Sequence, residues 1–218
     1  FSIDESWLDV TASQSLFGSG RQIADTIRKT VKEELGMTLS AGVSYNKVLA
    51  KMGSEYKKPD ATTIITKNNF REILWPLPAR ELFGVGKATS EKLDKLGIRT
   101  IGDIARADKN YLHSLFGKAG CIMWEYANGI DESPVCRYDQ REPMKSVGNG
   151  VTFRRDLTAE SDIATAVKAL SDTVAGRLRK YGYKAYGVKV DIKDTHFKVI
   201  SRQKQLFAPT WLSSTTDV

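Results

Sequence analysis

Two adjacent carboxylates near the start of the chain are the residues best suited to chemistry. Asp4 and Glu5 directly precede an apolar run over residues 7–10. Carboxylates are costly to bury unless something positive sits against them, and Mg²⁺ prefers such hard oxygen ligands. The pair therefore predicts a divalent-metal site, although an isolated Asp-Glu pair is also typical of a solvated turn. On a regular strand neighbouring side chains point to opposite faces, so both can reach one site only if the backbone bends there.

Three further segments follow this pair in order: Ser40-Ala41-Gly42-Val43-Ser44-Tyr45-Asn46-Lys47 with Ala50-Lys51, then Lys57-Lys58-Pro59, then Leu82-Phe83-Gly84-Val85-Gly86-Lys87. Asn46 is a good N-cap for a helix that carries Lys51, and the lysines of this helix form either a solvated face or part of a functional motif. Lys58 is biased toward an extended backbone because Pro59 follows it. The ordered set resembles the Y-family translesion DNA polymerases, the DinB/UmuC group, over nearly the whole chain.

The resemblance implies specific roles for these side chains. Asp4 would be a metal ligand, Glu5 would lie beside the primer terminus, and Lys58 would bind the triphosphate of the incoming nucleotide. The implied substrates are primer-template DNA and deoxynucleoside triphosphates, with Mg²⁺ ions as cofactors. The family usually has Gly shortly after the proline, whereas this chain continues with Asp60-Ala61, so we expect the loop geometry to differ.

The family takes a third carboxylate from an earlier strand, and a fingers segment covers the nucleotide. This sequence contains neither, so we expect a fragment that is inactive alone. Asp9 is the only nearby replacement, and we expect it to face solvent or to cap a turn.

The segment Gly84-Val85-Gly86-Lys87 looks like the turn of a helix-hairpin-helix motif. Two glycines let the backbone turn tightly and bring its amides to a DNA phosphate at the start of a helix. Lys92 and Lys95 add positive charge, although all of these lysines could simply be solvated.

The predicted fold class is α+β, with several domains. Together with the resemblance, this pattern implies a distal palm of partial α/β type at 1–75, a small all-α thumb with the helix-hairpin-helix at 76–130, a linker at 131–142 and an incomplete little finger of β-α-β-β order at 143–218. The predicted strands are Phe1–Thr11, Thr38–Ser44, Thr62–Ile65, Lys145–Phe153, Lys184–Ile192 and His196–Phe207, and the main predicted helices are Arg21–Leu35, Asn46–Lys57 and Ser161–Tyr181.

Charge is distributed unevenly along the chain, whose formal net charge is +7. Residues 1–142 hold 20 basic and 19 acidic side chains, whereas residues 143–218 hold 13 and 7. A concentrated basic excess suggests a polyanion partner, although such a face is often only solvated. By resemblance to the little finger, the DNA-contacting residues would be Lys145, Ser146, Arg154, Arg155 and Arg202.

Other features narrow the function classes. Cys121 and Cys136 have no metal-ligand spacing and fit a reduced cytosolic protein, and no apolar run reaches transmembrane length. Residues 203–207, Gln-Lys-Gln-Leu-Phe, resemble the peptide by which bacterial polymerases bind the sliding clamp, but they fall on a predicted strand.

The alternative to a polymerase is a non-catalytic DNA-binding module of a repair complex, which would not need Asp4 and Glu5.

Overall fold

The computed structural model describes residues 2–140 and 143–211. These two ranges form two compact units. Both combine helices with a small sheet, which confirms the predicted α+β class. The division between the units falls inside the predicted linker, while the predicted boundary between palm and thumb remains a prediction.

The first unit contains most of the secondary structure. Its elements are α1 (Gln14–Phe17), α2 (Gly20–Leu35), β1 (Ala41–Val43), α3 (Lys47–Tyr56), β2 (Thr62–Ile64), α4 (Phe70–Leu74), α5 (Lys87–Lys95), α6 (Ile101–Arg106), α7 (Lys109–Phe116) and α8 (Lys118–Ala127), with 3₁₀ turns at Thr11–Ser13 and Ala79–Glu81.

A β-α-β unit lies at the centre of this region. β1 and β2 pair in parallel, with Gly42 opposite Thr63, and α3 connects them. A β-carbon at Gly42 would lie 1.8 Å from the carbonyl oxygen of Ala50, so α3 packs directly on the β1 backbone. Only glycine permits this approach, which fixes α3 closely against the sheet.

Local signals in the sequence explain the ends of the two long helices of this unit. Ser19 and Gln22 form a capping box at the start of α2, and Gly36 ends the helix with φ 65°. Asn46 caps α3, since its side-chain oxygen accepts a hydrogen bond from the Leu49 amide at 2.9 Å. Both predicted helices are confirmed within one residue at each end.

The predicted strand Phe1–Thr11 is wrong over its described residues. Residues 2–10 form no strand, although Trp7 packs into the unit. Its indole nitrogen donates to the Lys47 carbonyl at 3.0 Å, and its ring meets Phe83 edge-on at 6.3 Å. Alternating side chains predict a strand only where a neighbouring strand accepts its backbone hydrogen bonds, and among the described residues none pairs here.

The helices after α4 share one core with α3 and β2. Its fully buried members include Leu49, Leu74, Leu93, Ile101 and Leu112. The N-terminus of α3 also contacts the segment after α8. The side-chain amide of Asn46 donates to the Gly129 carbonyl at 2.9 Å, and the Asp131 carboxylate accepts from the backbone amide of Val48 at 3.2 Å. The start of the predicted linker is therefore packed against α3.

The second unit consists of α9 (Glu160–Tyr181), β3 (Ala185–Lys193) and β4 (Val199–Thr210), with the strands antiparallel. The predicted strand Lys145–Phe153 is wrong, because these residues pair with no strand among those described. Gly148 in this segment instead accepts a hydrogen bond from Arg177 of α9 at 2.7 Å. Ala175 is the one buried hydrophobic residue of the described helix α9.

Candidate active site

A groove of about 570 Å³ runs along the N-terminal segment of the first unit. Its walls come from α2, β1, α3 and the loop before β2. Asp4, Glu5, Lys51, Glu55 and Lys58 are among its lining residues, together with apolar side chains of α2 such as Ile23 and Ile27. The groove thus has a charged wall and an apolar wall.

Asp4 and Glu5 both line this groove. The backbone bends at Ile3 and Asp4, and the Ser2 amide donates to the Glu5 carbonyl at 3.3 Å. This bend replaces the alternation of a strand and lets neighbouring side chains reach one groove, as the sequence required. The Asp4 carboxylate is exposed and accepts from the Ser2 hydroxyl at 2.5 Å.

Four side chains at the charged wall form a chain of alternating sign. Lys51 Nζ lies 2.5 Å from Glu5 Oε1 and 2.8 Å from Glu55 Oε1, and Lys58 Nζ lies 2.7 Å from Glu55 Oε2. Glu55 stands four residues after Lys51 and three before Lys58. The pairs thus join Glu5, one of the two predicted metal-binding carboxylates, to Lys58, the predicted phosphate-binding lysine.

These contacts determine the protonation of the groove. The hydrogen bond from Ser2 lowers the pKa of Asp4, and Lys51 and Lys58 lower it further. Burial alone would lower the pKa of Lys51, but hydrogen bonds to Glu5 and Glu55 outweigh it and raise the pKa. Hydrogen bonds from Lys51 and Lys58 lower the pKa of Glu55. At neutral pH the Asp4 and Glu55 carboxylates are therefore ionised and the Lys51 side chain is an ammonium group.

The loop after Lys58 is held by α2. Asp60 adopts φ 52°, a left-handed conformation in which Asp is tolerated better than most side chains. Its carboxylate pairs with Arg28 at 2.7 Å and Lys32 at 2.8 Å, and hydrogen bonds from Lys32 and then Arg28 lower its pKa. Two ion pairs to α2 thereby stabilise Asp60 in this conformation.

The carboxylate pair fits a hard divalent cation in donor type. Asp4 is accessible and ionised, and Mg²⁺ is commonly held by one or two carboxylates while water and substrate phosphates complete its shell. Residues 2–140 and 143–211 contain no cluster of three or more His, Cys, Asp or Glu side chains suited to a metal. Asp9 does not line the groove; it is exposed and accepts from the Thr11 amide at 3.0 Å, as predicted.

The predicted hairpin of the thumb presents its glycines to solvent. Gly84 has φ 88°, Gly86 is the N-cap of α5, and a β-carbon at either position would meet nothing within 4 Å. The start of α5 also has no side-chain cap. Val85 lies between the glycines with its side chain buried, so only its backbone could meet a phosphate, while Lys87 is exposed.

The predicted DNA-contacting residues of the second unit are exposed: Lys145, Ser146, Arg154, Arg155 and Arg202. They differ in their existing contacts. Arg155 pairs with Asp162 in the first turn of α9 at 2.6 Å, and Arg202 donates to the Ser201 carbonyl at 2.9 Å. The ion pair makes Arg155 a weaker candidate for a phosphate contact than Arg154 or Arg202.

Residues 203–207, which resemble a clamp-binding peptide, lie wholly within β4. Phe207 is fully exposed and Leu206 is half-buried. Clamp binding by this segment therefore stays a prediction. Among the described residues, no helix is both long and apolar enough to cross a membrane.

Sequence reasoning missed the roles of two residues, Lys51 and Glu55. A solvated face was one of the two interpretations of Lys51, and its side chain is only 17% exposed. Glu55 was not singled out. The spacing of Glu55 from Lys51 and Lys58 could have revealed these contacts. Residues three or four apart on a helix are neighbours, and opposite charges at that spacing form pairs.

Family models match three segments of the chain. Residues 1–55 match the impB/mucB/samB family, residues 144–217 match its C-terminal domain, and residues 80–131 match the thumb domain of DNA polymerase-iota. The two impB/mucB/samB models together cover more than half of the chain.

Relatives named DNA polymerase IV match over almost the whole chain. The one from Acetivibrio thermocellus is 46% identical over 98% of this chain and 54% of its own length, and the one from Clostridium kluyveri is 40% identical over 94% and 51%. The chain thus spans about half the length of the curated relatives it matches. A solved structure, the Y-family DNA polymerase chimera Dbh-Dpo4(243-245)-Dbh, is similar with a TM-score of 0.77 at 23% identity, over 93% of this chain and 57% of that one.

Proposed function

The chain belongs to the impB/mucB/samB family of Y-family DNA polymerases, and from that premise we propose that it supplies part of the active site of a translesion DNA polymerase. The full-length protein would add deoxynucleotides to a primer opposite a template. This chain would contribute the distal palm, the thumb and most of the little finger.

The observation that carries the proposal is the shared groove of Asp4, Glu5 and Lys58. Asp4 and Glu5 would hold Mg²⁺, which would stabilise the charge on the attacking and leaving oxygens when two ions are bound. Lys58 would leave Glu55 to bind the triphosphate, because a phosphate offers a stronger negative charge than one carboxylate. Such residues catalyse mainly by positioning and by electrostatic stabilisation.

Primer extension tests this function. With Mg²⁺ and nucleotides, the full-length protein is expected to extend a primed template, whereas the 218-residue chain alone gives no measurable product. The described residues of the chain place only two carboxylates of the expected three in the groove, and phosphoryl transfer depends on complete positioning of the metals. Robust extension by the chain alone would show that the third carboxylate is unnecessary. A full-length protein that never extends primers would overturn the function.

DNA would be held by backbone amides at the start of α5 and by basic residues of the second unit. Both kinds of contact bind phosphate and position the duplex without reading its sequence. The uneven charge distribution supports DNA binding by the second unit, because the excess of basic residues lies in residues 143–218.

Salt dependence separates the contributions to DNA binding. Replacing Arg154 and Arg202 with alanine is expected to weaken duplex binding equally on unrelated sequences and to reduce the slope of log affinity against log salt by about one to two units. In the matched control, Lys92 and Lys95 of α5 are replaced with alanine. Both are exposed and we interpret them as solvated, so their loss should change the slope less. Arg155→Ala should also have a smaller effect, because Arg155 already pairs with Asp162. If replacing Arg154 and Arg202 left the salt dependence unchanged while replacing Lys92 and Lys95 reduced it, the basic excess of residues 143–218 would be only a solvated face.

A further inference from the structure

Lys51 is placed unlike an ordinary surface lysine. Its side chain is 17% exposed, and its ammonium group contacts Glu5 at 2.5 Å and Glu55 at 2.8 Å. Lysine is seldom buried this far unless it is paired, and here it is paired twice. Of these two partners, Glu5 belongs to the proposed catalytic pair.

The two sides of this contact are held in different ways. Lys51 stands on α3, which packs against the backbone of β1 at Gly42 and is capped by Asn46. Asp131 adds a second cap by accepting from the Val48 amide at 3.2 Å. Glu5 belongs to a segment that forms no strand among the described residues and is anchored at Trp7, whose indole nitrogen donates to the Lys47 carbonyl at 3.0 Å. The ion pair ties this segment to α3 at Glu5 itself, so Lys51 sets the position of that carboxylate relative to the helix.

Glu55 supports Lys51 from the same helix. It lies one turn further along α3 and accepts from both Lys51 and Lys58. If a triphosphate draws Lys58 away, Glu55 keeps its contact with Lys51. The Lys51 ammonium thus stays between two carboxylates whether or not the nucleotide is bound.

We propose that Lys51 is a positioning residue for the polymerase reaction, acting by its ion pair with Glu5 to fix that carboxylate in the groove. This inference rests on the proposed function. Lys51 itself need not touch substrate or metal. Groups that orient metal-binding residues commonly change metal affinity or activity about 10- to 100-fold when they are removed.

A positioning role and a merely structural role predict different results. Lys51 is also a cation near Asp4, so removing it makes the groove more negative and favours divalent-metal binding. At the same time, Glu5 loses its orientation and the chemical step slows. A structural bridge would lower thermal stability without changing the rate of each folded molecule.

The experiment uses the full-length protein with the substitutions Lys51→Met and Lys51→Arg. Lys29→Met is the matched control, since Lys29 also pairs with a glutamate four residues on, Glu33, at 3.9 Å but lies outside the groove. The measurements are kcat, the KM for nucleotide, primer-template affinity, Mn²⁺ affinity by electron paramagnetic resonance and the melting temperature.

For Lys51→Met we expect kcat to fall about 10- to 100-fold, with nucleotide KM and DNA affinity changed only a few-fold. Mn²⁺ binding should become about fivefold tighter, as expected for loss of a nearby positive charge. Lys51→Arg should recover most of the rate because it restores the ion pair, and Lys29→Met should match the unsubstituted protein.

The inference fails if Lys51→Met and Lys29→Met have equal kcat, or if arginine recovers nothing. If Lys51→Met does not fold, Glu55→Gln decides: it keeps Lys51 but removes its support, and kcat should fall a few-fold, whereas an unchanged kcat would overturn the proposal. Asp4→Ala distinguishes a failure of the proposed function from a failure of the positioning role. If that variant extends primers normally, the proposed function fails; if it is inactive while Lys51→Met is normal, only the positioning role fails.

Discussion

Replacing Asp4 with alanine in the full-length protein is expected to reduce primer extension by about a thousandfold or more. The side chain lines the groove, is ionised and faces the ammonium groups of Lys51 and Lys58. Its loss would remove a metal ligand and leave the developing charge of phosphoryl transfer without compensation. Glu5→Ala should act in the same direction. The measurement is single-nucleotide incorporation with enzyme in excess over primer-template.

Asp9→Ala is the matched control for this experiment. Asp9 is a nearby exposed aspartate that accepts from the Thr11 amide and lies outside the groove. It should leave the incorporation rate unchanged, while primer-template affinity stays within a few-fold in all three variants. Normal incorporation by both Asp4→Ala and Glu5→Ala would exclude this pair from catalysis.

Lys58→Ala is expected to lower kcat/KM for the incoming nucleotide by about a hundredfold, since one charged donor to a transferring phosphoryl group commonly contributes that much. Its Nζ lies 2.7 Å from Glu55 at the edge of the groove, where it can exchange the carboxylate for a phosphate. Steady-state kinetics over a range of nucleotide concentrations would measure the change.

Lys57→Ala provides the adjacent control. Lys57 is also exposed, but its ammonium group lies 6.0 Å from the Tyr56 ring and outside the groove. An effect on nucleotide kinetics equal to that of Lys58→Ala would show that the loop contributes general positive charge rather than one specific contact.

The elements that could be predicted from sequence are those specified by local signals. Ser19 and Gly36 mark the ends of α2, and Asn46 marks the start of α3, because capping groups act within a few residues of the helix end. The predicted strands over residues 2–11 and 145–153 are wrong for the opposite reason. Their alternating pattern is compatible with a strand, but pairing depends on a partner strand elsewhere in the sequence, and the described residues supply none.

The site was predicted in its residue types but not in its internal contacts. Asp4, Glu5 and Lys58 were identified, and the structure brings all three to one groove. The partnership of Lys51 with Glu5 spans 46 positions, and no local pattern encodes a contact over that separation. The Glu55 contacts were different, because their spacing on one helix could have revealed them.

The most direct test of a metal-dependent active site at Asp4 and Glu5 is anomalous diffraction from Mn²⁺-soaked crystals. The crystals would contain the full-length protein, primer-template and a non-hydrolysable nucleotide. We expect an anomalous peak within about 2.1 Å of an Asp4 carboxylate oxygen, with the nucleotide phosphates against the same ion and Lys58. Ordered nucleotide with metal bound elsewhere, and no peak at Asp4, would contradict the assignment of this groove as the catalytic site.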